Sequence, residues 1–387
     1  MLRKMPFILA FVILAVLLLD PLMSIKLKSI FYAASLSIES IIVFLLPVLI
    51  FGLLFKAAVN LAKQSTRIIV LIMVGVCSSN FISTFLSHFV GSWVYHFDLT
   101  LNMPKDLQEL KPYWSFALPK LIANSVAMLA GLSLGVLGAV CKPKMAERIA
   151  NIIEKIVGKI LHSFVFLIPI FVAGFVVKMK YDGIMISIVE DYGFVFLVVA
   201  LAVFTYISFI YFAANKFKIH PTLKSIKNML PAGITGFCTM SSATAMPLTI
   251  IGVEKNSHNP DLARSVVPAT VNIHLIGDCF AIPIFAYAIL KNFGAAEPTL
   301  LSYIIFTGYF VLAKFSVAAI PGGGIIVMLP ILEAYLGFNS DMLSLITALY
   351  ILFDPIITCA NVIGNGGFAV VISKLAHAAF PRIRKSA

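Results

Sequence analysis

Charge is scarce in this sequence. Only 12% of its 387 residues are Asp, Glu, Lys or Arg, while 60% are hydrophobic; a soluble domain would carry roughly a quarter charged residues. With a mean hydropathy of +1.02, a polytopic membrane protein is the class that fits. Paired cysteines are also missing. Cys77, Cys141, Cys238, Cys279 and Cys359 show no CxxC spacing and sit in or at the ends of apolar segments. They are therefore expected to be buried small hydrophobes, neither a disulfide framework nor a zinc site. No A-x-A-like cleavage site follows the apolar run 7–19, so that run reads as a first membrane helix. No HExxH occurs, and His88, His96, His162 and His220 are dispersed. A membrane enzyme would have to rest on Ser241 or Ser242 with His274 as base, so no enzyme, no cofactor and no firm metal site are expected.

The charge that remains is mostly basic, with 29 Lys and Arg against 17 Asp and Glu. It forms no stripe that could track phosphates, so nucleic-acid binding is not expected. It falls instead between apolar runs, as the positive-inside rule predicts. Arg3 and Lys4 place the N-terminus in the cytoplasm. Six crossings follow, at about 7–19, 40–61, 68–94, 118–140, 152–177 and 193–214, with basic clusters on alternate sides. Pro47 and Pro169 lie within the second and fifth, and Trp93 and Tyr95 mark a headgroup belt.

The pattern then changes. Residues 229–253 are apolar but interrupted by Pro231, Gly233, Gly236 and the run Met240-Ser241-Ser242-Ala243-Thr244-Ala245, and basic patches lie at both ends. A segment that enters and leaves on one side is re-entrant. Residues 265–290 are broken by Pro268, Asn272, His274 and Asp278. A second apolar hairpin turns at Ala319-Ile320-Pro321-Gly322-Gly323-Gly324-Ile325. Pro321 removes a donor and the glycines allow backbone angles other residues avoid, so this tip cannot continue a helix. Non-helical backbone at membrane depth survives only where protein packs it or it lines a watery cavity; an extramembrane turn is the alternative. A last helix, about 343–376, precedes Arg382, Arg384 and Lys385, which puts the C-terminus in the cytoplasm as well. The expected fold is all-α, with eight transmembrane helices and two re-entrant hairpins. Broken segments in paired positions point to a midplane substrate site.

In the last helix Asp354, Thr358, Asn361 and Asn365 recur at spacings of four, three and four residues, which places them on one face. A charged side chain there costs roughly 2.5–3.5 kcal/mol on insertion scales, so Asp354 is a functional candidate; the alternative is a structural pair with a lysine or histidine. Ser241 and Ser242 either bind a ligand or satisfy the backbone of their own turn.

Taken together, the serine-rich tip Ser241-Ser242-Ala243-Thr244, the tip Pro321-Gly322-Gly323-Gly324 and the set Asp354, Thr358, Asn361, Gly364 resemble the dicarboxylate/amino acid:cation symporter family. That family includes archaeal aspartate transporters and vertebrate glutamate and neutral amino-acid transporters. The resemblance is best over 223–375. It implies an elevator transporter in an inner, cytoplasmic membrane, usually a homotrimer, in which the second tip gates the substrate. The implied division is scaffold at 1–63 and 98–185; transport-domain helices at 64–97 and 186–219; hairpin one at 220–255; broken helix seven at 256–292; hairpin two at 293–338; and helix eight with its tail at 339–387. It also implies that Asp354 and Thr358 hold the substrate ammonium. Asn361 and the Ser241–Ser242 tip would hold its carboxylate, and Gly324 would line the site.

The departures from the family pattern are informative. Where acidic-substrate members carry an arginine, three residues after the aspartate, this chain has Ile357. Where they read Asn-Met-Asp-Gly-Thr, it reads Asn272-Ile273-His274-Leu275-Ile276. Ile276 and Ile357 would thus replace both partners of an acidic side chain, and a neutral amino acid is expected. Two sodium-binding carboxylates fall at His274 and Asn365, and Lys314 falls near a third sodium site. Asn272, Asn361 and Thr270 with its neighbouring carbonyls remain as oxygens. Sodium coupling is therefore expected to be weakened or replaced by protons, with His274 titrating and Asp278, one turn away, as its partner. Lys314 is expected to snorkel or to pair with an acid. The alternatives left open are a sodium-coupled glutamate, aspartate or dicarboxylate symporter and, from another class, a non-transporting receptor or a channel.

Overall fold

The structure is a computed structural model that describes residues 5–62, 67–97, 110–119, 122, 124–182, 185–257, 266–317 and 322–379, and every regular element among them is helical. In chain order these are α1 (Met5–Leu19), α2 (Ile25–Ala62), α3 (Arg67–His96), α4 (Asn124–Cys141), α5 (Pro143–Tyr181) and α6 (Met185–Ala214). They continue with α7 (Ile219–Thr239), α8 (Ser242–Asn256), α9 (Ile276–Asn292), α10 (Leu300–Lys314), α11 (Gly323–Leu336) and α12 (Ser340–Ala379). A single helical turn at 266–270 precedes α9. Stretches of α3, α6 and α12 (Val70–His96, Tyr192–Ala214 and Ser340–Ala376) are long and apolar enough to cross a membrane. Most of the 98–111 loop, the terminal basic residues Arg3, Lys4, Arg382, Arg384 and Lys385, and the tip residues Ala319, Ile320 and Pro321 lie outside the described residues.

Several helices differ from expectation at their starts, α2 and α5 by the most. α2 and α5 run for 38 and 39 residues, beginning about fifteen and nine residues before their apolar stretches. Hydropathy finds only the part that wants lipid. The leading turns carry Lys26 and Lys28 in α2, and Lys144, Glu147 and Arg148 in α5, so their helicity rests on backbone bonding that hydropathy does not see. Pro143 opens α5 at the position where a missing N–H costs nothing. Pro47 and Pro169 sit inside their helices without ending them.

The helices pack around separate hydrophobic clusters. One joins buried residues of α1, α2 and α5 to Met240 at the first tip, Ile326 of α11 and Ile351 of α12, with α4 laid against α2. Small residues let these backbones approach. A Cβ on Gly131 would stand 2.7 Å from the Phe51 carbonyl, and one on Gly135 would stand 2.8 Å from the Phe55 carbonyl. On α5, a Cβ on Gly174 would overlap the Phe31 carbonyl and Ser35 Oγ, and that hydroxyl donates to the Phe171 carbonyl at 2.7 Å. Such glycine contacts suit helices that lack a hydrophobic drive to associate in lipid. Gly135→Ala is therefore expected to lower stability by about 1–3 kcal/mol through overpacking. Gly193→Ala, where nothing lies within 4 Å of the added carbon, should be neutral or slightly stabilising. Thermal melts of the two variants in detergent check this.

The larger cluster gathers α3 and α6 to α12. At its centre is α9, whose residues from Ile276 to Leu290 are all buried, as expected of a helix apolar all round. α3 turns a buried polar row, Asn80, Ser83, Thr84 and Ser87, toward α9 and α10. Ser87 Oγ lies 2.9 Å from Tyr303 OH, which donates to the Thr84 carbonyl. Asn80 holds the break before α9: its Nδ2 donates to the Ile273 carbonyl at 2.7 Å and its Oδ1 accepts from the Leu275 amide. These bonds satisfy backbone groups that a continuous helix would have paired internally. All five cysteines are free, but only Cys279 is buried; Cys77 and Cys359 are half-buried, and Cys141 and Cys238 are exposed. The expectation of five buried thiols fails because hydropathy marks apolar segments without saying which face of each meets protein.

Candidate functional site

The first hairpin turns in two residues. Met240 ends α7 in the left-handed conformation (φ 47°), and Ser241 caps α8 by accepting the Thr244 amide at 3.3 Å. Ser241 therefore serves its own turn, whereas the buried Ser242 faces inward. The second hairpin starts at a Thr299 cap, and α11 begins after Gly322, whose φ of 72° suits glycine. Both hairpins reach the middle of α12.

There they enclose a cavity of about 30 Å³, lined by Ser242, Asn272, Asp278, Val317, Gly324, Tyr350, Asp354, Thr358 and Asn361 together with Met240, Val271 and Leu275. That is room for about two water molecules, so an organic ligand enters only if a wall moves. Asp354 Oδ2 accepts the Gly322 amide at 3.0 Å and Oδ1 accepts Thr358 Oγ1 at 2.8 Å. Asp354 thus ties α12 to Gly322 of the second tip, at the amide end of α11, where a negative charge is favoured.

Asp278, on the first turn of α9, is the second carboxylate. Its Oδ2 accepts Lys314 Nζ at 2.6 Å, and its Oδ1 accepts Asn361 Nδ2 at 2.9 Å and Tyr350 OH at 3.1 Å. Asn361 Oδ1 in turn accepts the Gly277 amide at 2.8 Å. Lys314 is wholly buried, so it does not snorkel; it pairs with an acid.

The residues expected to act together divide into three groups. Ser242, Gly324, Asp354, Thr358 and Asn361 converge on the cavity, joined by Asn272 and Asp278. Thr270 and Asn365 lie away from it as a pair, with Thr270 Oγ1 2.7 Å from Asn365 Oδ1. Ile276 and Ile357, expected at the substrate side chain, are buried but do not line the cavity. Ile276 covers Gly364, and the Ile357 carbonyl lies against Gly277. The expected His274–Asp278 pair is absent. α9 starts only at Ile276, so a four-residue step from 274 to 278 does not share a helix face. The His274 ring stacks on Phe368 with centroids 4.1 Å apart and its Nε2 lies 2.9 Å from Ser79 Oγ. Among the described residues, His274 Nδ1 and Asn365 Nδ2 are buried without a hydrogen-bond partner.

Several contributors escaped the sequence reading. Tyr350 lies four residues before Asp354, so extending the polar face one step backwards would have found it. Ser79 and Asn80 belong to a Ser-Ser-Asn run inside an apolar helix, a signal of the same kind. Among the described residues no group of three or more His, Cys, Asp or Glu is arranged to hold a metal ion.

A family model described as the sodium:dicarboxylate symporter family matches residues 5–375. An excitatory amino acid transporter of Onchocerca volvulus is 29% identical over 154 residues, a stretch covering 38% of this chain and 30% of that relative's length.

Proposed function

This chain belongs to the sodium:dicarboxylate symporter family, and on that premise we propose that it carries a neutral amino acid across the cytoplasmic membrane by an elevator movement. The observation that carries the choice of substrate is the charge of the cavity wall. Two carboxylates, Asp278 and Asp354, line it; Lys314 offsets Asp278, so Asp354 is left as its uncompensated charge, and among the described residues no lysine or arginine lines the cavity itself. An acidic side chain brought there would meet like charge and no bidentate partner. An ammonium group would meet Asp354 and Thr358, and the α-carboxylate would face Asn361 and the Ser242 end of α8, where helix amides point.

Movement is inferred from the small volume of the cavity among the described residues. The cavity must open to admit an amino acid, and the second hairpin tip, tied to Asp354 through the single Gly322 amide, is the wall we assign to that opening. The cluster of α1, α2, α4 and α5 is read as the scaffold. The remaining helices are the moving body, and three such chains form the assembly. Both termini are assigned to the cytoplasm.

Weakened sodium coupling is favoured over replacement by protons. Hard cations need oxygen ligands that are free to coordinate. Here Asp278 is held by Lys314, Tyr350 and Asn361, Asp354 by Gly322 and Thr358, and Asn365 Oδ1 by Thr270. A proton taken up by His274 would create a buried cation with only the Ser79 hydroxyl at Nε2 and, among the described residues, no hydrogen-bond partner at Nδ1. A second reading, a sodium-coupled carrier of acidic amino acids or dicarboxylates, is favoured by the family's description and by the printed name of the relative.

Counterflow in proteoliposomes separates the two. Preloaded neutral amino acid should drive uptake of its labelled form with little change when sodium is replaced by choline. Uptake of aspartate or succinate that requires sodium, with none of a neutral amino acid, would establish the second reading instead.

A further inference from the structure

The geometry points to Lys314 as a tethered cation that fixes the charge of the site: its ammonium occupies the Asp278 carboxylate, so that Asp354 alone is left for an incoming cationic group. The clause about the incoming group rests on the transport reading; the rest does not.

Three observations converge. Lys314 is the last residue of α10 and is fully buried, an unusual place for a lysine unless its charge is matched. Its Nζ lies 2.6 Å from Asp278 Oδ2 and 4.6 Å from the centroid of the Phe310 ring, so a carboxylate and an aromatic face surround the ammonium. Asp278 accepts from Lys314, Tyr350 and Asn361, which fills three of the about four lone-pair sites of a carboxylate that lines the cavity. The lysine stem arrives from the second hairpin while its partner stands on α9, 36 residues earlier. The pair therefore also fastens the tip end of the hairpin's first arm to the body of the site.

Without that ammonium the cavity wall would carry two uncompensated carboxylates, and a small monovalent cation would be drawn in to take its place. Removing the side chain should consequently expose a cation site that the natural protein keeps filled with part of itself. A merely structural lysine predicts lost stability but no such site.

Thermal melting of purified full-length protein reads this without any transport assay. Wild type, Lys314→Ala and the charge-neutral double variant Asp278→Asn with Lys314→Met are compared. The salts are methylammonium chloride, sodium chloride and tetramethylammonium chloride at equal ionic strength. Lys314→Ala should melt lower than wild type in tetramethylammonium, which is too bulky for the vacated space. It should regain at least about 3 °C in methylammonium, beyond any response of wild type, by binding to the folded state. The double variant, which keeps Asp354, should lose that extra response. Equal melting of Lys314→Ala in methylammonium and tetramethylammonium overturns the inference, as does an undiminished response in the double variant. If Lys314→Ala is recovered only as aggregate, the double variant decides. Its recovery as folded protein supports the tethered charge, and aggregation of both overturns it. Cation rescue with no counterflow of any amino acid would instead count against the proposed function alone.

Discussion

Replacing Asp354 with asparagine should raise the dissociation constant for an amino acid by at least about a hundredfold while leaving the protein folded. The substitution preserves shape. An asparagine oxygen accepts the Gly322 amide as Asp354 Oδ2 does, and its amide donates to Thr358 Oγ1, whose hydroxyl turns to accept. What is lost is the charge that an ammonium group requires, and breaking a desolvated charge pair costs about 2–5 kcal/mol. Asp278→Asn should behave in the opposite way. There the lost charge belongs to a pair already complete inside the protein, and it strands a fully buried ammonium at Lys314. Stability should fall by about 3–5 kcal/mol before binding is asked about at all. Calorimetric titration and ligand-free melting of both variants measure the contrast. If Asp354→Asn bound a neutral amino acid as tightly as wild type, the assignment of its ammonium to this carboxylate would fail.

That contrast also shows how the sequence divides between legible and illegible parts. The face bearing Asp354, Thr358 and Asn361 lies within one helix, so counting residues was enough to bring them together, and the cavity is built on it. The four-residue rule failed at His274 and Asp278 for a reason equally local. The rule holds only inside a helix, and the helix begins between them. The true partner of Asp278 lies on another element, where only packing of α10 against α9 brings it close. Spacing carries no such information. Ile276 and Ile357 illustrate a different limit. The resemblance identified the positions, but here neither side chain lines the cavity, and Ile276 packs over Gly364. The conclusion they were meant to support now rests on the charge of the cavity wall, which no segment of the chain displays by itself. Helix existence was readable from hydropathy. Helix starts in α2 and α5 were not, because their first turns leave the apolar stretch while backbone bonding continues.

Gly324→Ala should weaken ligand binding at least about tenfold, because the second tip can no longer seat. A Cβ at this position would overlap Tyr350 OH and Asp278 Oδ2. Neither neighbour gives way easily. The carboxylate is held by Lys314 and Asn361 as well as by Tyr350, whose own side chain is buried in α12. The first turn of α11 must therefore lift, which separates the Gly322 amide from Asp354. A loss of about 1.4 kcal/mol from the bound state is enough for the tenfold effect. Gly308→Ala, on the same hairpin but with nothing within 4 Å of the added carbon, should bind as wild type does. Adding Tyr350→Phe to Gly324→Ala removes one overlapping atom and frees the Asp278 carboxylate to rotate. Part of the lost affinity should then return, although Tyr350→Phe alone removes a hydrogen bond and should not improve binding. A double-mutant cycle in calorimetry isolates that coupling. Additive effects would mean that the second tip does not close against the α9–α12 wall, and the hairpin would lose its role as gate.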